Sequence, residues 1–194
     1  MAEEVRSFIA VELPEAVKQK LAELQTQLKS GRARARWVAS EGIHLTLKFL
    51  GGISVDTIPQ VTKIMGEAAS GYTPFRLAVR GLGVFPSPGR AQVVWVGLEG
   101  EVERLAQIQK RLDSGLESLG FVPESRAFTP HLTLARMRDD ASLAEREAMG
   151  KLVTATSFEA GDFVVESISL MKSQLTREGA IYSRLAAVPL MSGR

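Results

Sequence analysis

The chain of 194 residues contains no cysteine. A disulfide framework, a cysteine nucleophile, a zinc ribbon and a cysteine-ligated iron–sulfur cluster are therefore excluded. Histidine is almost as scarce, and two residues are too few for an all-histidine metal site. No apolar run approaches the roughly 20 residues of a membrane span. The opening residues, MAEEVRSFIAVELP, carry two glutamates where a secretory signal has Lys or Arg. They read as the first strand of a cytoplasmic protein with no membrane partner. Charge of one sign is also lacking: the net charge is only +2, which argues against strong nonspecific binding to RNA.

What is present is an ordinary globular composition, with 45% apolar residues, enough for one sizeable core or two small ones. The cations are unusual, with 16 Arg against 8 Lys. Arginine's planar fork matches phosphate, although a GC-rich genome produces the same excess.

Hydrophobic spacing predicts strands at Val5–Leu13, Arg32–Val38, Ile43–Leu50, Phe75–Arg80, Gln92–Leu98, His131–Arg136, Phe163–Lys172 and Ile181–Val188. It predicts helices at Glu15–Lys29, Asp56–Ala69 and Glu101–Leu119, and a fourth opened by the capping box Ser142-Leu-Ala-Glu145. Gly31 is the expected C-cap of the first helix, and Gly51-Gly52 the expected end of the third strand. Gly81–Arg90, punctuated by Gly, Pro and Ser, reads as a loop, and Thr176–Gly179 as a hairpin turn. Adjacent strand pairs recur too often for a doubly wound parallel sheet. The expectation is an α+β fold with antiparallel sheets flanked by helices, residues 1–194 forming a single bilobal domain around a central cleft.

The feature that carries chemistry is an internal echo. His44-Leu-Thr-Leu47 and His131-Leu-Thr-Leu134 are the same tetrapeptide, and they hold the chain's two histidines at the same place. Each is followed by a helix, which suggests a duplicated unit with a pseudo-twofold axis. Along a strand, His44 and Thr46 share one face and Leu45 and Leu47 the other; His131 and Thr133 stand in the same relation to Leu132 and Leu134. If the two units face each other, two imidazoles and two hydroxyls converge. Imidazoles titrate near neutral pH, so one can act as base and the other as acid on opposite sides of a phosphorus. The threonine hydroxyls can donate to non-bridging oxygens. A histidine–carboxylate metal site is the rival, but neither motif offers a third ligand at a regular spacing.

These residues resemble the two-histidine phosphoesterase superfamily, and within it the bacterial and archaeal RNA 2′,3′-cyclic phosphodiesterases, historically called 2′-5′ RNA ligases. The likeness extends over His44-Leu-Thr-Leu-Lys-Phe-Leu-Gly51, Arg126-Ala-Phe-Thr-Pro-His-Leu-Thr-Leu-Ala-Arg136, Arg6–Pro14, Phe85–Pro88 and Val94–Gly97. The resemblance implies hydrolysis of a terminal 2′,3′-cyclic phosphate on RNA to a 2′-phosphate, with a reversible activity that joins RNA ends through a 2′-5′ link. It implies His44 as proton donor, His131 as proton acceptor, Thr46, Thr133 and Arg136 on the phosphate, and Phe49 stacked on the terminal base. No metal or other cofactor is expected, and the protein is expected to be a monomer. Substrates in keeping with it run from tRNA halves and other RNA fragments to small cyclic nucleotides. A phosphodiesterase for small nucleotides or ADP-ribose cyclic phosphate is the alternative, and an RNA-end binding module without catalysis is another.

By simple alternation Phe49 and Arg136 fall on the faces opposite their histidines, so each needs its strand to end or bulge just before it. Arg32, Arg34 and Arg36 share a face and suit either an RNA-backbone track or a charged edge strand. Arg126 stands just ahead of the second motif, where it could hold substrate or lie on the surface.

Overall fold

The computed structural model describes residues 4–177 and 179–191. The first sheet contains β1 (Glu4–Glu12), β3 (His44–Ser54), β8 (Ser167–Thr176) and β9 (Gly179–Pro189). The second contains β2 (Ala35–Trp37), β4 (Phe75–Phe85), β5 (Val93–Gly100), β6 (His131–Met137) and β7 (Glu159–Val165). Four helices join them: α1 (Glu15–Lys29), α2 (Ile58–Ala69), α3 (Val102–Leu116) and α4 (Leu143–Ala155). All strand pairs within the sheets are antiparallel. The fold is α+β and two-lobed.

The strand orders reveal the duplication. The first sheet runs β3-β1-β8-β9 and the second β6-β5-β4-β7, with β2 added outside β6. Each histidine strand pairs with the strand that precedes its helix, β3 with β1 and β6 with β5. β3 and β6 also lie against each other where the sheets meet.

The helices bind the lobes together by crossing over. α1 follows a strand of the first sheet, yet its Gln25 Nε2 donates to the Leu134 carbonyl of β6 at 3.1 Å and to that of Val38 at 2.7 Å. α3 follows a strand of the second sheet, yet its Asp113 pairs with Lys48 of β3. Val17, Leu21, Leu24 and Leu28 of α1 and Leu105, Ile108, Leu112 and Leu116 of α3 are buried in one apolar cluster shared by both sheets. Full burial of each such side chain contributes about 1.5–3 kcal/mol, so the lobes share a large part of their stabilisation.

Several boundaries differ from the sequence reading. Phe163–Lys172 is two strands, because the chain leaves the second sheet at Val165 and enters the first at Ser167. Periodicity cannot detect a crossing of one residue between two buried strands. The expected loop at Gly81–Arg90 is strand as far as Phe85: Gly81 takes φ +82° at a register shift against β5 and the ladder resumes at Leu82. A left-handed glycine here makes a bulge rather than an end. β3 likewise runs through Gly51-Gly52 to Ser54. β2 is three residues, shorter than Arg32–Val38, and the left-handed residue after α1 is Arg32, at φ +52°, rather than Gly31. The helix expected at Asp56–Ala69 starts at Ile58 after a single 3-10 turn. The Ser142 capping box is formed as read.

Candidate active site

Both histidines are held in the same way. His44 Nδ1 lies 2.7 Å from the Gly42 carbonyl, and His131 Nδ1 lies 2.8 Å from the Thr129 carbonyl. Each partner sits two residues upstream. A carbonyl can only accept, so Nδ1 carries a proton and Nε2 is the ring nitrogen left for chemistry. Neither Nε2 has a hydrogen-bond partner among the described residues. Thr46 and Thr133 are half-buried beside them, while Leu45, Leu47, Leu132 and Leu134 are buried in the core, so the alternation holds.

Both strands then bulge at the same point. On β3 the register passes from Ala10↔Thr46 to Ile9↔Lys48, which leaves Leu47 as the extra residue. On β6 it passes from Trp95↔Thr133 to Val94↔Ala135, which leaves Leu134 as the extra residue. Each bulge puts two consecutive residues into the core, Leu47 with Lys48 and Leu134 with Ala135. It thereby returns Phe49 and Arg136 to the faces of His44 and His131. Phe49 is 69% exposed and lies 6.2 Å from the Phe8 ring. Arg136 is exposed too, with no carboxylate partner among the described residues.

The rings around the histidines are residues to which the sequence reading gave no role. Phe8 stacks on His44 at 4.4 Å, and the edge of Tyr182 approaches the same imidazole at 5.0 Å. Phe85 meets His131 edge-on at 5.2 Å and leans on Trp95 at 5.1 Å. Trp95 lies flat on the β4 backbone because position 83 is glycine; a Cβ there would stand 2.1 Å from the ring. Phe8, Phe85 and Trp95 fall within stretches quoted for the family likeness, so a signal existed. Tyr182, far along the chain, had none.

The electrostatics of the two sides differ. Burial pushes the His44 imidazole below its ordinary pKa, while the Gly42 carbonyl works in the opposite sense. Glu12 is the register partner of His44. Burial would raise its carboxyl, but hydrogen bonds from Arg184 and Ser169, each 2.7 Å, hold it below the usual range. Under the bulge, Lys48 is 8% exposed, pairs with Asp113 and donates to the Val122 carbonyl at 2.7 Å. Arg126 lines a separate pocket between α3 and the following loop, with Asp113 and Phe128 among its neighbours, and not the face of the histidines. Among the described residues no three of His, Cys, Asp and Glu converge as a metal site would require.

Two antiparallel lobes, each presenting an imidazole and a hydroxyl on a bulged strand, describe a duplicated hydrolase rather than a nucleotide-binding doubly wound fold. The LigT-like phosphoesterase family model matches the chain twice, over residues 11–95 and 96–182, one histidine falling in each match. The chain belongs to that family, and it is a phosphoesterase. It is 35% identical over 180 residues to the RNA 2′,3′-cyclic phosphodiesterase of Methanothermobacter thermautotrophicus, covering 92% of this chain and 95% of that one. It is 36% identical over 174 residues to the enzyme of the same name from Aeropyrum pernix, covering 89% and 96%. The structure of Escherichia coli LigT complexed with 3′-AMP superposes with a TM-score of 0.79 at 27% identity, over 97% of this chain and 99% of that one. No helix of the described residues is long and apolar enough to cross a membrane.

Proposed function

We propose that the protein hydrolyses the 2′,3′-cyclic phosphate at the end of an RNA to a 2′-phosphomonoester, by acid–base catalysis at His44 and His131 without a metal. The observation that carries this reading is the matched pair of imidazoles, each with Nδ1 tied to a backbone carbonyl two residues back. The printed activity of the relatives from M. thermautotrophicus and A. pernix points the same way.

His131 Nε2 takes a proton from water, whose oxygen attacks phosphorus in line with the P–O3′ bond. His44 Nε2–H gives a proton to the departing O3′. The P–O3′ bond breaks, a P–O bond to water forms, and the 2′-phosphate remains. Burial makes the charged His44 a stronger acid, and a bound phosphate anion favours its protonated form. Thr46 and Thr133 donate to the non-bridging oxygens, Arg136 neutralises their charge, and Phe49 stacks on the terminal base. Run backwards with a 5′-hydroxyl end in place of water, the same groups join RNA through a 2′-5′ link.

The test is a short RNA ending in 2′,3′-cyclic phosphate, incubated with the protein in EDTA, with the product identified. Formation of the 2′-phosphate supports the reading. Formation of the 3′-phosphate, dependence on added metal, or no turnover defeats it.

A further inference from the structure

Four arginines form a two-by-two array on the cleft face of the second sheet. Arg36 of β2 is the register partner of Arg136 on β6. One step outward, the Arg138 N–H donates to the Arg34 carbonyl at 2.9 Å. Alternation places all four side chains on the face that the bulge gives to Arg136. Like charges directly opposite each other in a ladder destabilise it.

The outer pair is neutralised by the protein. Asp140 bridges it, with 3.3 Å to Arg34 Nη1 and 3.3 Å to Arg138 Nε, and Glu145 adds a contact of 3.2 Å to Arg34 Nε. The inner pair has no such partner: among the described residues neither Arg36 nor Arg136 forms an ion pair or a side-chain hydrogen bond. One carboxylate does for the outer pair what an external anion would do for the inner one.

The inner pair opens onto a groove of about 730 Å³ that Lys29, Gly42 and Tyr182 also line. This is within the roughly 300–1,000 Å³ of ligand sites. Two acidic residues, Glu41 and Asp139, line it as well, against four cations, Lys29, Arg36, Arg136 and Arg138. The groove reaches the histidines at two points. Gly42 supplies the carbonyl at His44 Nδ1, and Tyr182 packs 5.0 Å from the His44 ring. Thr133 and Arg136 are three residues apart on a bulged strand, under about 10 Å, a span one nucleotide bridges.

We propose that Arg36, with Arg136 at the junction, binds the phosphodiester on the 5′ side of the terminal nucleotide, and that the groove holds the chain running upstream. The preferred substrate is then an oligoribonucleotide with at least one internal phosphodiester, rather than a cyclic mononucleotide. A phosphodiester is a monoanion with two free oxygens, which suits a pair of guanidinium forks. The inference rests on the functional reading above and narrows its substrate class.

The experiment compares steady-state hydrolysis of adenosine 2′,3′-cyclic phosphate with that of ApA ending in a 2′,3′-cyclic phosphate. It uses wild type, Arg36→Ala and Arg36→Lys, each at two salt concentrations. Wild type should favour the dinucleotide about tenfold or more in kcat/KM. Arg36→Ala should remove most of that preference through KM, with kcat and mononucleotide turnover unchanged, and Arg36→Lys should restore part of it. The salt slope for the dinucleotide should shrink by about 0.7 in Arg36→Ala, the value for one phosphate contact on a single strand. Equal turnover of both substrates by wild type, or an equal loss on both in Arg36→Ala, overturns the proposal. If neither substrate is hydrolysed, the functional reading fails instead. The subsite is then judged on binding of ApA 3′-phosphate against adenosine 3′-phosphate: loss of dinucleotide affinity in Arg36→Ala upholds it, and unchanged affinity overturns it.

Discussion

The two histidine strands share a backbone and differ in nearly everything mounted on it. Each ties its imidazole to a carbonyl two residues upstream, follows with threonine, bulges at the next leucine, and re-emerges with an exposed side chain. At that last position one strand carries Phe49 and the other Arg136. Opposite His44 stands Glu12 with Arg184 and Ser169, whereas opposite His131 stands Gly97. Beneath the first bulge lies the charged Lys48, and beneath the second Ala135. Opposite Thr46 is Ala10, and opposite Thr133 is Trp95. Duplication supplied the geometry of an acid–base pair. Divergence at the flanking positions then separated the work, one side reaching for a base and the other for phosphate.

The strongest way to break the symmetry is to remove one imidazole at a time. His44→Ala and His131→Ala should each lower kcat by about 10²–10⁴-fold, as loss of general acid or base does. Because both act in one transition state, the double variant should fall little below the worse single one. Multiplicative losses in single-turnover assays would show that the two sides act independently. Next in size is the ion pair that only the first strand has. Asp113→Ala leaves Lys48 charged in the core without a partner and should cost about 3–5 kcal/mol in denaturant unfolding. Replacing the pair together, with Lys48→Met and Asp113→Leu, should recover most of that loss. Were the single variant to lose under 1 kcal/mol, the pair would not be the anchor of α3 on β3.

Much of this was legible in the sequence, for identifiable reasons. The echoed tetrapeptide located both histidines and both threonines, because alternation on a strand is geometric. Helices with clean apolar spacing, such as α1 and α3, came out within a few residues. The need for a bulge before Phe49 and Arg136 could be stated from spacing, since a side chain must change face to join its histidine. What failed depended on partners distant in sequence. Glu166 marks a crossing between sheets only because β7 and β8 find different neighbours. Gly81 reads as a loop residue until β5 and β7 bracket it. Of the three alternating arginines, Arg34 turns to Asp140 and Glu145, which no local pattern foretells.

The exposed positions after the bulges give a smaller contrast. Arg136→Ala should lower kcat/KM by about 10²-fold, since it removes a charged donor from the developing phosphate charge. Phe49→Ala should instead raise KM by about 5- to 100-fold with kcat little changed, the range for loss of one base stack. If Phe49→Ala lowered kcat as Arg136→Ala does, the division into base and phosphate sides would be wrong.

The finest contrast is in protonation. Burial depresses the pKa of His44 in the folded protein. The unfolded chain, titrating near 6.5, therefore binds more protons than the folded one between the two values, and stability rises with pH there. This contribution is fully present above the unfolded value and is lost as pH falls through the folded one. Unfolding free energies measured from pH 8 to pH 5 should accordingly drop more steeply for wild type than for His44→Gln, which cannot titrate. Inorganic phosphate should narrow the gap, because an anion beside the imidazole raises its pKa and lets the folded protein accept the proton. Parallel curves without phosphate would mean that His44 is as well solvated as an open-chain histidine. A gap that phosphate leaves unchanged would mean that the anion binds elsewhere, and the first strand would lose its claim to the phosphate.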